Sequence, residues 1–146
     1  QQPELDGTIS FEDFDLNRYY DEVIRYKGQT PGVVQVDGIL YAHYFITGVS
    51  GRNVSGEHPA YTLLTKHFGS ATCGHIHTFD YSVRTDGAGR RIHGLVAGVA
   101  QDYDSPWAGE MCKLWSRGVV IKRNVNNGDY DLTWVSLENL RKEYGN

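Results

Sequence analysis

The chain of 146 residues is poor in cysteine and proline and has no long apolar run. Two cysteines, Cys73 and Cys112, are too few for a disulfide-built scaffold, although sequence alone leaves one bridge open. They read as reduced thiols of a cytosolic protein, with Cys73 as a small buried residue beside a histidine pair. No apolar stretch approaches the roughly 20 residues of a membrane span, and the N-terminus is polar and acidic. A soluble, cytoplasmic chain with no membrane partner and no secretion signal is therefore expected. An initiator Met is missing as well, so a processed or cut piece of something longer is expected. Low-complexity tracts and internal repeats are absent. Charge of either sign is modest: 14 Lys plus Arg against 18 Asp plus Glu gives a net charge of −4. That balance argues against a broad, sequence-blind nucleic-acid surface and leaves room for a local basic site.

What is present suits a domain built on strands and turns. Aromatics are plentiful and Gly outnumbers Pro, 17 to 4. Residues 1–15 read as an acidic arm or linker, and residues 16–146 as one unit. Asp15 is placed to cap a helix from Leu16 to Tyr26, with Tyr19, Tyr20, Val23 and Ile24 as its apolar side. Val33–Val36, the turn Asp37-Gly38 and the run Ile39–Phe45 predict a hairpin whose second strand is buried on both faces. Gly48–Pro59 is a glycine-rich loop, and Pro59 opens a helix over Ala60–Phe68. Phe79–Thr85, the turn Asp86–Gly89 and Arg90–Val99 form a second predicted hairpin. Gln101–Gly109 reads as an irregular loop and Lys113–Val125 as containing a strand. Asn126–Asp129 is a hairpin turn, Tyr130–Val135 its return, and Ser136 the cap of a helix over Leu137–Tyr144.

The chemistry concentrates in histidine. Cys73-Gly74-His75-Ile76-His77-Thr78 places two imidazoles one residue apart, and His43 sits inside the apolar run 39–45. Neutral imidazole is the commonest protein ligand for zinc and related metals. In a regular strand His75 and His77 share one face and line one site; a bend at Gly74 lets them serve two neighbouring ions. For His43 a core histidine bonded to backbone competes with a ligand at the strand's end. The loop before residue 59 offers free N–H groups to an anion, and Arg52 a bidentate phosphate contact, against the plainer reading of a solvated loop. His58 reads as solvent-facing, His67 as a surface cation at a helix C-terminus, and His93 as structural. Asp102 and Asp104 suit a cap or solvated charge better than a hard-cation site.

Taken together, Gly74-His75-Ile76-His77 and the earlier Tyr41-Ala42-His43-Tyr44 resemble two motifs of the calcineurin-like metallophosphoesterases, phage-type. The phrases at 56–60, 94–98 and 105–109 (Gly-Glu-His-Pro-Ala, Gly-Leu-Val-Ala-Gly, Ser-Pro-Trp-Ala-Gly) also look like that group. The likeness spans about residues 10–144 and covers the family's C-terminal half. It implies an α/β fold, part of a β-sandwich flanked by helices, with a mixed sheet and antiparallel C-terminal strands. It implies phosphoester hydrolysis with two divalent ions (manganese, iron or zinc), His43 and His75 holding one and His77 the other, and Arg52 on the substrate phosphate. No stretch before His43 carries the family's Asp-x-His, its Gly-Asp with the bridging aspartate or its Asn-His pair. Asp80, Asp102 and Asp104 stand in the wrong order and context to replace them. A separate N-terminal half carrying those acidic ligands is therefore the expected partner, with one sheet of the sandwich missing and the strand 39–45 short of neighbours. Nucleic acid remains among the possible substrates. The alternatives are an inactive binding or structural module keeping a partial three-His metal site, and, last, a mononuclear zinc hydrolase lacking a well-placed general base.

Overall fold

The computed structural model describes residues 11–49 and 51–145. Of the acidic arm, residues 1–15, the first ten lie outside the described residues. The chain is mixed α/β. Its centre is a five-stranded mixed sheet in the order β1-β2-β5-β7-β6, with β1 Val34–Val36, β2 Ile39–Ala42, β5 Ala71–Cys73, β6 Phe79–Thr85 and β7 Arg91–Ala97. Two small hairpins accompany it, β3 Ile46–Thr47 with β4 Arg52–Asn53, and β8 Gly118–Asn126 with β9 Asp129–Ser136.

Turn chemistry sets the register. Asp37 and Gly38 both take positive φ, 48° and 80°, as a two-residue hairpin requires, and Val36 pairs with Ile39. Asn127 and Gly128 do the same between β8 and β9. The two turns dock on each other: Gly128 N–H donates to the Asp37 carbonyl, and Ser70 Oγ to the Gly128 carbonyl. Strands β2, β5 and β7 run parallel, β2 and β5 being joined by the helix α1, Pro59–His67. That helix covers one face of the sheet. Its Leu63 packs with Phe45, Val54, Ala71, Cys73 and Val96 in the main core. Gly94 in β7 is what lets it approach, because a Cβ there would lie 2.2 Å from the Ala60 carbonyl oxygen.

The opposite face is covered by the β8–β9 hairpin. Trp134 meets Phe79 with ring centroids 5.3 Å apart, and Tyr130 stacks on His93 at 4.2 Å. His93 is 1% exposed and fastens the layers: Tyr81 Oη lies 2.6 Å from its Nδ1 and Asp129 Oδ1 2.7 Å from its Nε2. Its structural reading is the one the packing supports. The last helix, α2 Leu137–Tyr144, starts at Ser136, whose hydroxyl accepts from Asn139 N–H as expected. Among the described residues no helix is long and apolar enough to cross a membrane.

Several expectations are corrected. The helix over Leu16–Tyr26 is absent; only 3₁₀ turns at Phe11–Phe14 and Leu16–Arg18 form. Asp15 there has φ 42° and makes no side-chain cap. The intended apolar side stays largely exposed, Tyr19 being 69% and Tyr20 60% exposed, and a helix that short is marginal without tertiary burial. β2 stops at Ala42, so His43–Phe45 lie beyond the strand. It is not short of neighbours, for β1 and β5 flank it. Lys113 and Leu114 close a kinked 3₁₀ segment, Pro106–Leu114, and the strand begins only at Gly118. The reading of Cys73 and Cys112 as free thiols holds, for both are buried and unbridged.

Candidate functional site

The parallel strands β2 and β5 end level with each other, Ala42 beside Cys73. His43 follows one and Gly74-His75 the other, so both histidines stand at the carboxyl ends of neighbouring parallel strands, where open α/β sheets place ligands. Gly74 N–H donates to the His43 carbonyl at 3.1 Å, which locks the two strand ends together. The chain then reverses. Ile76 N–H donates to the Gly74 carbonyl at 2.7 Å, and His75, at the apex of this three-residue turn, takes φ 63°. His77 also takes positive φ, 65°. Turns of this hand are rare and strained for a residue with a Cβ, and such strain collects at functional positions. The bend thus lies at His75 itself, and the two imidazoles do not share a strand face.

The reversal swings the His75 ring onto His43. Their centroids are 5.0 Å apart, and His75 Nδ1 lies 3.1 Å from His43 Nε2. His43 is exposed, which removes the reading of a core histidine. The Tyr44 ring completes the cluster, 5.0 Å from His75, while its hydroxyl donates to the Gln29 carbonyl. The His77 ring lies edge-on to Trp115 at 4.5 Å and near Trp107 at 6.2 Å, and its carbonyl accepts from Ser116 N–H. So the structure brings His43 and His75 into contact and seats His77 against a tryptophan pair. Burial holds the His75 pKa below the usual histidine value, with the charges of His43 and His77 adding to it; His77 is lowered by burial and then by His43. Both are therefore neutral at pH 7, the form that ligates metals.

The donor set fits part of a metal site. Two nitrogens bound to one tetrahedral ion at about 2.0–2.1 Å sit roughly 3.3 Å apart, close to the observed spacing of the pair. Among the described residues no group of three or more His, Cys, Asp or Glu side chains is placed to hold an ion. Cys73 is no substitute: burial pushes its thiol up to about 11, so it stays protonated.

Beside the pair lies a cavity of about 430 Å³, lined by Gln29, Thr30, Tyr44, Arg52, Asn53 and His75 among others. Arg52, on β4, shares this cavity with His75, and among the described residues no carboxylate pairs with it. The glycine-rich loop itself differs from expectation. Half of it folds into the β3–β4 hairpin, and the N-terminus of α1 already has its anion, since Ala60 N–H donates to Asp80 Oδ2 at 2.9 Å. His58 occupies the N-cap position of α1 and is exposed. His67 is corrected: it is no surface cation. Its ring packs on Phe45 at 4.5 Å, its Nε2 is buried without a partner among the described residues, and burial lowers its pKa. Asp102 and Asp104 are tied to Arg141 and Arg117.

Trp107 and Trp115, the neighbours of His77, give no joint signal in the sequence; the phrase Ser-Pro-Trp-Ala-Gly holds one of them, but nothing local says it returns to His77. Comparison of the chain with family models, curated proteins and solved structures gives no match.

Proposed function

We propose that this chain supplies the histidine side of a phosphoester-hydrolysing centre of the calcineurin-like type, completed by a second polypeptide segment that carries the acidic ligands. One observation carries the reading: His43 and His75 meet at 3.1 Å, at the ends of parallel strands, beside a cavity that also holds Arg52. Divalent ions, manganese, iron or zinc and two in the complete centre, would supply a hydroxide nucleophile at neutral pH and neutralise phosphate charge. His43 and His75 would hold one ion and His77 the other. Arg52 would orient the phosphate through paired N–H donors. Tyr44, fastened to Gln29, keeps the His75 ring in place.

Two features favour an incomplete centre. No carboxylate joins the pair among the described residues. The sheet edge β1 and the aromatics before it are open: Phe14, Tyr19, Tyr20, Ile24, Tyr26, Val33 and Val36 are all exposed. An edge strand flanked by exposed apolar side chains suits pairing with a further polypeptide. The test is reconstitution. The chain alone, with manganese, should hydrolyse a bis-phosphate ester reporter poorly. Adding a chain that bears Asp-x-His, Gly-Asp and Asn-His motifs should restore turnover, and His75→Ala should abolish it. Robust turnover by the chain alone would end the need for a partner.

The second reading is a binding or structural module that keeps the histidines without catalysis. The missing acidic ligands favour it. Metal bound by His43 and His75, with no turnover after reconstitution, is its signature.

A further inference from the structure

On the face of the sheet away from α1, the β8–β9 hairpin leaves a cavity of about 320 Å³ lined by Tyr41, Thr72, Leu95, Ala97, Val120 and Lys122. Lys122 reaches in from β8. Its Nζ donates to Thr72 Oγ1 at 2.6 Å and to Tyr41 Oη at 3.0 Å. The ammonium lies over the Tyr41 ring at 4.3 Å and the Tyr130 ring at 4.7 Å. Among the described residues no carboxylate pairs with it. Burial alone pulls its pKa down to about 8, in keeping with a charge held without a counter-ion.

The hydrogen-bond inventory is lopsided. An ammonium only donates, so both hydroxyl oxygens accept from it and each hydroxyl keeps a hydrogen it can donate. Tyr130 Oη lies behind this pair, outside the cavity lining. It is buried, and the Thr72 hydroxyl is the polar group beside it. The ammonium and its two hydroxyls thus face the cavity with no anion among the described residues, while the remaining walls, Leu95, Ala97 and Val120, are aliphatic. A partly buried ammonium with no counter-ion favours an anion beside it, and a pocket of this size and lining suits a small organic ligand. A single positive charge matches a monoanion better than a dianion.

We propose that this cavity is a binding site for a small monocarboxylate with an apolar tail, its head on Lys122, Tyr41 and Thr72 and its tail against Leu95, Ala97 and Val120. The site is separate from the histidine cluster and does not depend on the function proposed for it. Hexanoate is the probe, titrated into the full chain and followed by methyl and amide chemical shifts. Saturable shifts at Val120, Leu95 and Thr72 are expected. Lys122→Met should weaken binding at least tenfold, and Thr72→Val should weaken it less. Val120→Trp, which fills the cavity and leaves Lys122 in place, should abolish it. Hexanol should not bind, and inorganic phosphate should bind more weakly than hexanoate. The proposal is overturned if hexanoate shows no saturable binding, if folded Lys122→Met or Val120→Trp binds it as wild type does, or if hexanol or phosphate binds as tightly.

Discussion

His67 shows how one ring can be misjudged from its neighbours in sequence. At the end of α1, beside Lys66, it reads as a cation answering the helix dipole. In the fold it leans on Phe45, and its Nε2 loses water without gaining a partner. An unmatched buried polar atom costs about 1–3 kcal/mol. His67→Leu is therefore expected to raise unfolding stability by about 1 kcal/mol in urea titrations at pH 7. The pH dependence has a definite sign. The folded-state pKa lies below the ordinary value of 6.5, so on acidification the unfolded chain binds the proton first. Stability should fall as pH drops below about 6.5, and His67→Leu should lose less of it between pH 7 and 5.5 than wild type. Asp80 is the converse case. It gives no motif, yet its carboxylate accepts from the first turn of α1. Asp80→Ala should cost about 1 kcal/mol, read from the midpoint of urea unfolding.

At the scale of elements, local chemistry predicted well where it acts within a few residues. Asp37-Gly38, Asp86–Gly89 and Asn126–Asp129 carry their turns in their own backbone preferences, and all three hairpins form. Pro59 and Ser136 likewise mark true helix starts. The segment 16–26 has a candidate cap residue and an apolar stripe, but that stripe stays largely exposed, and the helix does not form. Packing between elements leaves one sharp prediction. Helix α1 crosses β7 at Gly94, where a methyl group would run into the backbone of Ala60. Gly94→Ala should destabilise by about 3 kcal/mol, more than the usual cost of one extra carbon in a core, because the obstacle is main chain. Calorimetric melting would show a loss of that size, and a shift of a degree or less would refute the contact.

For the whole molecule, the layers are α1, the mixed sheet and the β8–β9 hairpin, and His93 joins the last two through Tyr81 and Asp129. His93→Ala should cost about 3 kcal/mol and speed amide exchange selectively in β8 and β9, since it empties a buried site between the layers, leaves the Tyr81 phenol without its partner and leaves Asp129 held by Arg91 alone. Uniform exchange rates across the hairpin and the sheet would contradict that role. The sequence by itself determined the turns, most strand positions and the starts of both α-helices, because glycine, proline and capping hydroxyls act locally, and it named the histidines of the candidate site by residue type alone. Only the tertiary structure decided which groups meet. Parallel pairing of β2 with β5 brings His43 to His75 across 32 positions of chain, and the strained turn at His75 aims the ring. The same pairing with β7, and the hairpin laid over it, left Lys122 facing hydroxyls with no carboxylate opposite. Such meetings depend on strand order and on which face each element covers, and those follow from the burial of the whole core, which no short stretch of sequence encodes.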